Sequence, residues 1–410
     1  MFENQNLIRS AIIPFNYHPY LKQKKMKAAV FHKPGDIRVD NVPDPVILEP
    51  RDVILKVTST AICGSDLHIL SGAVPQKDPM IMGHEFMGIV EEVGSAITNL
   101  KKGDRVVVPF PISCGSCFFC THEASPACEN SNYKNYGPAG NLMDQKGAAL
   151  FGYTDLYGGY SGGQAQYVRV PYADVSPRIV PDDLTDEQAL FLTDIFPTGW
   201  SAIDWAQLKG GETVAIFGSG PVGLMAQKAA WINGASRVIA IDPLDYRLDK
   251  ARAVNKVETL NPNKVDVVEA IREMTGGRGA DVCVDAVGFE PERSFMDKVK
   301  ATINFEKGSM KVLEMCFESV RRMGTVSIVG VYGSPYDNFP FFRMFDKGIT
   351  IKQGQAPVLN YIDKLIGLVE EGKVVLDDII THSMPLEDAV HGYKIFDDKE
   401  DDCVKVILKP

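Results

Sequence analysis

Residues 214 to 223 read VAIFGSGPVG, an apolar run that ends in a glycine-rich turn. The run is typical of a buried strand, and Met225, Ala229 and Ile232 follow it at helical spacing. The next apolar run, RVIAID at 237 to 242, repeats the strand pattern. Since a strand, a helix and a second strand of this kind form a βαβ unit, this stretch predicts a parallel sheet covered by helices.

Three glycines in the turn, Gly218, Gly220 and Gly223, have the spacing G-x-G-x-x-G. Between a strand and a helix, this spacing is typical of a dinucleotide-binding turn. The first glycine allows the tight turn, the second leaves room for a pyrophosphate, and the third lets the helix pack closely on the strand. Pro221 and Val222 complete the turn, so we expect all five residues at the cofactor, with its phosphates at the helix N-terminus. A tight turn that binds no ligand is the alternative.

The acidic residue Asp242 follows this turn by about 20 residues, at the end of the second predicted strand. Its carboxylate can accept hydrogen bonds from both hydroxyls of an adenosine ribose. The same charge would repel the 2′-phosphate of NADP. We therefore expect NAD as the cofactor.

The regions on either side of this unit differ in their patterns. Towards the C-terminus, DVCVDAV at 281 to 287 and TVSIVG at 325 to 330 continue the alternation of strands with helices. Towards the N-terminus, short segments such as VILKV at 53 to 57 and RVVVP at 105 to 109 predict an antiparallel β domain. A closing strand, CVKVIL at 403 to 408, resembles a return to that first domain.

The length of 410 residues exceeds one ordinary domain of about 100 to 200 residues, so we predict an α/β chain with two folded domains. The second would be a Rossmann domain, a doubly wound parallel sheet. The predicted boundaries are an N-terminal extension at 1–25, a β-rich domain at 26–190, a Rossmann domain at 191–355 and a return segment at 356–410.

The composition excludes several classes of protein. Apolar residues make up 45% and charged residues 23% of the chain, which excludes disorder, collagen and coiled-coil rods. A net charge of -10 would repel the phosphates of a nucleic acid. No apolar window is long enough to cross a membrane, and the N-terminus lacks a secretory signal pattern. We therefore expect a cytoplasmic protein without nucleic-acid or membrane partners.

Four of the eight cysteines, Cys114, Cys117, Cys120 and Cys128, have the spacing C-x2-C-x2-C-x7-C. We call this segment the cysteine lobe. Such close spacing is typical of thiolates around one ion, whereas disulfides would spread over the chain. Four thiolates fill the tetrahedral sphere of zinc, so we expect a structural zinc with no position for a substrate. An iron–sulfur cluster and two disulfides are the alternatives.

Further motifs connect the two halves of the chain. CGSDLH at 63 to 68 and GHEFMGIVEEVG at 83 to 94 lie in the first half, and LTDIFPTGW at 192 to 200 lies where the halves meet. With the cysteine lobe and the glycine turn, these motifs make the chain resemble the zinc-dependent medium-chain alcohol dehydrogenases from residue 26 to residue 410. LTDIFPTGW is most similar to the branch of glutathione-independent formaldehyde dehydrogenase and formaldehyde dismutase.

The resemblance implies a GroES-like catalytic domain, a Rossmann domain and an active site in the cleft between them. It also implies a catalytic zinc held by Cys63, His84 and Asp194, in addition to the structural zinc. Glu85 would be a nearby carboxylate able to bind the metal when substrate leaves. Three protein ligands leave a fourth position open, as a catalytic zinc requires.

The resemblance assigns roles to four more residues. Ser65 would take the proton of the alcohol, and His68 would pass it towards solvent. Thr198 would lie beside the nicotinamide, and Lys405 would contact the pyrophosphate of the cofactor.

We therefore predict an NAD-dependent, zinc-dependent oxidoreductase that moves a hydride between an alcohol or aldehyde hydrate and NAD. A simple alcohol and aldehyde pair is the first expectation for the substrate, and the resemblance suggests a homodimer or homotetramer. Formaldehyde oxidation or dismutation and a polyol or amino-alcohol substrate are alternatives. A scaffold that binds NAD and zinc without catalysis and a zinc-free enone reductase are the rival functions.

About 20 residues at 289 to 308 form an insertion, where a compact βα loop needs about 2 to 6. In the resembled branch, an added loop near this place covers the adenosine half of the cofactor. We therefore predict that the protein retains NAD(H) and dismutates aldehydes without added cofactor. A surface decoration or an oligomer contact is the alternative role.

Overall fold

The computed structural model describes residues 24–77, 79–132, 147–288, 310–332 and 339–410. The predicted insertion at 289 to 308 lies outside the described residues. The predicted N-terminal extension also lies outside them, apart from its last two residues.

The described residues form strands, α-helices and short 3-10 turns. In chain order the strands are β1 Lys25–Lys33, β2 Asp36–Pro43, β3 Val53–Ala61, β4 Met80–Ile81, β5 Glu85–Val93, β6 Arg105–Val108, β7 Pro111–Ile112, β8 Ala149–Leu150, β9 Tyr167–Val170, β10 Arg178–Ile179, β11 Thr213–Phe217, β12 Arg237–Ile241, β13 Glu258–Leu260, β14 Ala280–Asp285, β15 Val320–Ile328, β16 Thr350–Gln353, β17 His382–Pro385 and β18 Val406–Lys409. The helices are α1 Gly64–Leu70, α2 Phe118–Thr121, α3 Asp186–Leu190, α4 Ile195–Asp204, α5 Pro221–Ile232, α6 Asp245–Asn255, α7 Val267–Met274, α8 Lys311–Ser319, α9 Phe341–Lys347, α10 Val358–Glu370 and α11 Ala389–Asp398.

The first half of the chain folds mainly into antiparallel sheets. One sheet has the order β10-β6-β5-β3-β18-β17, with β9 also paired to β3. Strand β3 lies at its centre and pairs with β5, β9 and β18. Most positions of β3 are therefore buried, which explains the apolar run VILKV that begins it.

The second half contains a parallel sheet with the order β13-β12-β11-β14-β15-β16. Every neighbouring pair in it is parallel, which confirms the predicted α/β fold class. The strand order reverses between β11 and β14. In open α/β sheets, ligands bind in the crevice at the carboxyl ends of the strands at such a reversal. The glycine turn lies there, because it joins β11 to α5.

The C-terminal end of the chain returns to the first sheet. Strand β18 pairs antiparallel with β3, so that Ile407 lies opposite Ala61. One apolar core includes Ile62 from the first half and Ile216 from the parallel sheet. The two halves therefore share one packed core and are not joined only by a flexible linker.

Among the described residues, none of the helices combines the length and the apolar character that a bilayer crossing requires.

Candidate active site

Four candidate metal ligands, which we call the ligand cluster, come from three separate places in the chain. Cys63 is the N-cap of α1, directly after β3. His84 and Glu85 lie where β5 begins, and Asp194 precedes α4. One ligand atom from each residue lies within 4.8 Å of the others, and all four residues are buried. Tertiary packing thus joins side chains that are up to 131 residues apart.

The distances in the ligand cluster suit a tetrahedral zinc ion. His84 Nε2 lies 3.2 Å from Asp194 Oδ2, and Cys63 Sγ lies 3.6 Å from the same oxygen. At the usual zinc bond lengths, tetrahedral geometry separates nitrogen from oxygen by about 3.3 Å and sulfur from oxygen by about 3.5 Å. Oε2 of Glu85 is sealed in the interior without a hydrogen-bond partner among the described residues. The donor set therefore fits a zinc ion with three protein ligands and a carboxylate nearby.

Burial and neighbouring charges shift the pKa values of these ligands. Burial, followed by the charges of Glu85 and Asp194, raises the pKa of the Cys63 thiol to about 11. Burial also raises the pKa of Glu85. For Asp194, burial acts in the same direction, but the hydrogen bond and charge of His84 outweigh it and the pKa is lowered. Since a metal ligand must be deprotonated, zinc binding at this cluster includes loss of the thiol proton.

Asp66 supports the ligand cluster, although the sequence does not single it out. Its Oδ1 lies 3.2 Å from Nδ1 of His84, within ion-pair distance but without hydrogen-bond geometry. Its Oδ2 accepts hydrogen bonds from the backbone N–H of Cys63 at 3.0 Å and from the side-chain amide of Gln164 at 3.2 Å. A carboxylate on the second nitrogen of a ligating histidine fixes the tautomer and the ring orientation. The position of Asp66 within CGSDLH is the signal that could have identified it.

The structure gives Lys405 two buried partners, and the expected contact with the cofactor pyrophosphate stays a prediction. Its ammonium is fully buried and donates to Oε1 of Glu85 at 2.7 Å and to the carbonyl of Ile62 at 3.0 Å. A buried ammonium requires such a partner, because an unpaired charge in the interior is costly. Lys405 therefore holds Glu85 beside the other ligands. The 320 residues between the two explain why the sequence does not reveal the pair.

The structure also gives Thr198 another partner than the expected nicotinamide. Its hydroxyl donates to Oδ1 of Asp194 at 2.8 Å. The backbone N–H of Thr198 bonds to the carbonyl of Asp194 in the first turn of α4. These contacts fix the carboxylate so that Oδ2 is the oxygen near Cys63 and His84. Thr198 thus orients a candidate metal ligand, and its expected place beside the nicotinamide stays a prediction.

Helix α1 carries both members of the predicted proton relay. Oγ of Ser65 lies 3.8 Å from Sγ of Cys63, so the hydroxyl borders the ligand cluster. His68 lies one turn further along the same helix and is half-buried. Residues three apart on a helix lie on one face. This placement is compatible with a relay from Ser65 to His68, and the relay stays a prediction.

The helix that follows Asp194 also connects the ligand cluster with the glycine turn. A Cβ atom on Gly199 of α4 would lie 2.5 Å from the backbone nitrogen of Ala226 on α5. Only a glycine permits two helix backbones to approach so closely. Since α5 begins at the glycine turn and α4 begins after Asp194, this contact sets the two sites side by side.

The glycine turn has the geometry that a pyrophosphate site requires. Gly218 has a φ of +97°, and a Cβ there would lie 2.8 Å from the side chain of Val287. A Cβ on Gly223 would lie 1.9 Å from the carbonyl oxygen of Gly218. At Gly220, the N-cap of α5, the nearest atom to a Cβ is a nitrogen of Arg247 at 3.8 Å. The space at the helix N-terminus is therefore open to a phosphate.

Asp242 lies at the carboxyl end of β12, next to this turn. Its oxygens accept the backbone N–H groups of Ser219 at 2.8 Å and Leu244 at 2.9 Å. A nitrogen of Arg247 lies 3.7 Å from Oδ2. The carboxylate is therefore fixed at the edge of the turn, and Arg247 partly offsets its charge.

The cysteine lobe forms a second cluster of ligands. Sγ of Cys114 lies 4.0 Å from that of Cys120, and Sγ of Cys117 lies 4.0 Å from that of Cys128. Zinc bonds of about 2.3 Å in tetrahedral geometry would separate the sulfurs by about 3.8 Å. Burial raises the pKa of Cys114, but the backbone N–H groups of Ser116 and Cys117 outweigh it and lower the pKa to about 6. The lobe therefore fits a zinc ion that all four thiolates enclose.

Two aromatic side chains that no motif singles out pack against His84 of the ligand cluster. Phe110 and Tyr153 both meet the ring of His84 edge-on, with ring centroids 6.2 Å and 6.1 Å away. Both are nearly buried. They therefore border the ligand cluster at His84.

Family models match both halves of the chain. The alcohol dehydrogenase GroES-like domain matches residues 49–182, and the zinc-binding dehydrogenase model matches residues 221–302. The first range contains Cys63, His84 and the cysteine lobe, and the second begins in the glycine turn.

Relatives and solved structures agree with these matches. A zinc-type alcohol dehydrogenase-like protein of Bacillus subtilis is 44% identical over 389 residues, which cover 94% of this chain and 100% of the relative. The glutathione-independent formaldehyde dehydrogenase of the same organism is 33% identical, over 90% of this chain and 94% of the relative. The structure of an alcohol dehydrogenase from Thermus sp. ATN1 is similar with a TM-score of 0.81 and 34% identity, over 94% of this chain and 99% of that one.

Proposed function

The chain belongs to the family of zinc-type alcohol dehydrogenases, and on that premise we propose that it transfers a hydride between a small alcohol and NAD at the ligand cluster. As a family member it is an enzyme, a zinc-dependent oxidoreductase that uses a nicotinamide cofactor and acts on alcohols. The observation that carries the proposal is the convergence of Cys63, His84 and Asp194 next to the glycine turn.

Different residues of the chain have different roles in the proposed reaction. Zinc at the ligand cluster, when bound, supplies a Lewis acid that strengthens the acidity of an alcohol hydroxyl. Asp66 and Thr198 orient two of the ligands that would hold it. Ser65 would take the proton of the alcohol, and His68 would pass it to solvent. A nicotinamide cofactor held at the glycine turn would supply the acceptor for the hydride.

The proposal is tested on the zinc-loaded protein with a panel of primary alcohols and NAD. NADH absorbance should rise with alcohol, and removal of zinc by a chelator should stop the reaction. A zinc-loaded, folded protein that reduces NAD with none of the alcohols would contradict the proposed reaction.

We propose NAD in preference to NADP, because the fixed carboxylate of Asp242 would repel a 2′-phosphate. Asp242→Gly should raise the ratio of NADP to NAD in kcat/KM by at least about tenfold, since loss of about 1.4 kcal/mol of discrimination has that effect. Glu258→Gly, at an exposed carboxylate on the neighbouring strand, is the control. A wild-type preference for NADP would reject this assignment.

A simple alcohol and aldehyde pair is the proposed substrate. The relative with 44% identity and the Thermus structure both carry alcohol dehydrogenase names. The formaldehyde dehydrogenase is less similar, at 33% identity. Because it is still a relative, formaldehyde oxidation or dismutation is the second candidate reaction. Bound nucleotide in the dialysed protein, together with aldehyde dismutation without added NAD, would favour that second candidate.

We also propose a homodimer, formed through one edge of the parallel sheet. All four residues of the edge strand β16 are exposed. Nearby, Phe341, Phe342 and Phe345 of α9 are 74%, 87% and 89% exposed. An open strand edge with an exposed apolar patch is typical of a subunit interface. Light scattering should give the mass of two chains, and Phe342→Glu with Phe345→Glu should shift it towards one.

A reducing location such as the cytoplasm agrees with the state of the cysteines. All eight lie in the described ranges, and none of them forms a disulfide. Free thiolates are also the form that binds zinc. Fractionation of cells that express the protein would test this location.

A further inference from the structure

We infer that the hydroxyl of Tyr153 binds a second oxygen of the substrate, so that among small alcohols and aldehydes Tyr153 favours those with another hydroxyl on or next to the reacting carbon. The inference rests on the proposed function, because that function puts the reacting carbon at the ligand cluster. It makes Tyr153 a specificity-determining residue and leaves the roles of the metal ligands unchanged.

The ring of Tyr153 lies directly against the ligand cluster. Its centroid is 6.1 Å from that of His84, and the two rings are almost perpendicular, at 84°. The side chain is only 6% exposed. A phenol hydroxyl can both donate and accept a hydrogen bond.

No residue in the described ranges forms a hydrogen bond with the Tyr153 hydroxyl, in contrast to the buried Tyr393 and the half-buried Tyr361. Tyr393 donates to Gln164 at 2.7 Å, and Tyr361 donates to Asp204 at 2.9 Å. Buried phenols usually have such partners. The oxygen of Tyr153 is also not one of the polar atoms sealed in the interior. The phenol oxygen therefore keeps some exposed surface and has no protein partner among the described residues.

Aromatic rings surround the ring of Tyr153 and the histidine it contacts. Phe110 contacts the same histidine from another side, and the ring of Tyr157 lies 5.7 Å from that of Tyr153. Ligand pockets are commonly apolar with a few polar groups that fix orientation. A purely aliphatic substrate would leave the phenol unpaired when it excludes water, whereas a second hydroxyl would satisfy it.

The segment that carries Tyr153 is held in place by the residues that follow it. The hydroxyl of Thr154 donates to the carbonyl of Pro75 at 2.6 Å, and the N–H of Asp155 donates to Gln76 at 2.7 Å. A polar group on an anchored segment needs little reordering to bind a ligand. Two substrate classes offer the required oxygen: a vicinal diol carries it on the next carbon, and a hydrated aldehyde carries it on the reacting carbon.

The test compares ethane-1,2-diol with propan-1-ol, which differ by a hydroxyl in place of a methyl group. In the zinc-loaded protein with NAD, Tyr153→Phe should lower the ratio of kcat/KM for the diol to that for propanol by about tenfold, as expected for one lost hydrogen bond. Tyr167→Phe, the same change on strand β9, should leave the ratio as in the wild type. Zinc content should be unchanged in both variants.

A second arm distinguishes the two substrate classes by kinetics, and a third measures binding without turnover. A loss confined to the oxidation of propanal, which is hydrated in water, would assign the second hydroxyl to the reacting carbon. Calorimetry with glycolamide and propanamide measures binding of the same hydroxyl and methyl pair without reaction. Tyr153→Phe should weaken the binding of glycolamide and leave the binding of propanamide unchanged. If the variant changes neither the kinetic ratios nor the difference between the amides, the inference is wrong, even where alcohol oxidation itself is observed.

Discussion

The cysteine lobe and the ligand cluster are both suited to a metal ion, but the chain assembles them in different ways. The lobe takes four sulfurs from one short stretch, whose own backbone N–H groups point at Cys114. The ligand cluster draws its side chains from places up to 131 residues apart and is supported by Asp66, Thr198 and Lys405. A local segment can close a coordination sphere, whereas a site with an open position needs ligands held from several directions. Four substitutions test this comparison.

The largest effect is expected when a ligand is removed from the ligand cluster. Asp194→Ala should lower kcat/KM for the alcohol by roughly 1000-fold or more, because two protein ligands cannot hold a catalytic zinc in place. The melting temperature should change little, since the cysteine lobe stays intact. Asp183→Ala, at an exposed carboxylate earlier in the chain, is the control. Retention of most of the activity would show that Asp194 is not the third ligand.

The opposite pattern is expected in the cysteine lobe. Cys114→Ser should remove about one zinc per chain and lower the melting temperature by about 10 °C or more, because the binding energy of a structural zinc is folding energy. Ser116→Ala keeps all four sulfurs and should behave as the wild type. Metal analysis with a thermal melt would measure both effects. A stable variant with an unchanged zinc content would reject a structural zinc in the lobe.

A smaller effect is expected when the support of a ligand is weakened. Asp66→Asn should reduce the zinc affinity of the ligand cluster by about 10- to 100-fold, because the carboxylate orients His84 and raises its basicity. The zinc of the lobe should be unaffected, so a chelator should remove one zinc from the variant much earlier than the other. Equal loss of both ions would contradict the distinction between the two sites.

The smallest effect is expected at the hydroxyl that orients Asp194. Thr198→Val should lower kcat/KM by about tenfold, since a hydrogen bond to a charged group contributes about 1.5 to 3 kcal/mol and the carboxylate retains its other contacts. Thr198→Ser keeps the hydroxyl and should restore most of the activity. If the serine variant were as impaired as the valine variant, the methyl group and not the hydrogen bond would matter.

The sequence predicted the local features well because each depends on residues close together in the chain. The alternation of strands with helices around the glycine turn predicted the parallel sheet. The spacing of the three glycines predicted where a side chain would clash, and the structure has a close backbone contact at Gly223 and open space at Gly220. The spacing of the cysteines likewise predicted one cluster of thiols.

The contacts around the ligand cluster were less predictable because they depend on distant parts of the chain. The family motifs pointed to Cys63, His84 and Asp194, but no motif predicted that Lys405 forms a buried ion pair with Glu85. Tyr153 carries no motif, and only the packing of its ring on His84 draws attention to it.

The sequence by itself determined the α/β fold, the turn for a dinucleotide and the spacing of the cysteine lobe, because periodicity and short spacings act within a few residues. The tertiary structure alone decided which groups pair in the interior: Asp66 with His84, Thr198 with Asp194 and Lys405 with Glu85. A buried charge or hydroxyl must be paired wherever the fold places it, and its partner depends on proximity in space, which a linear pattern does not record.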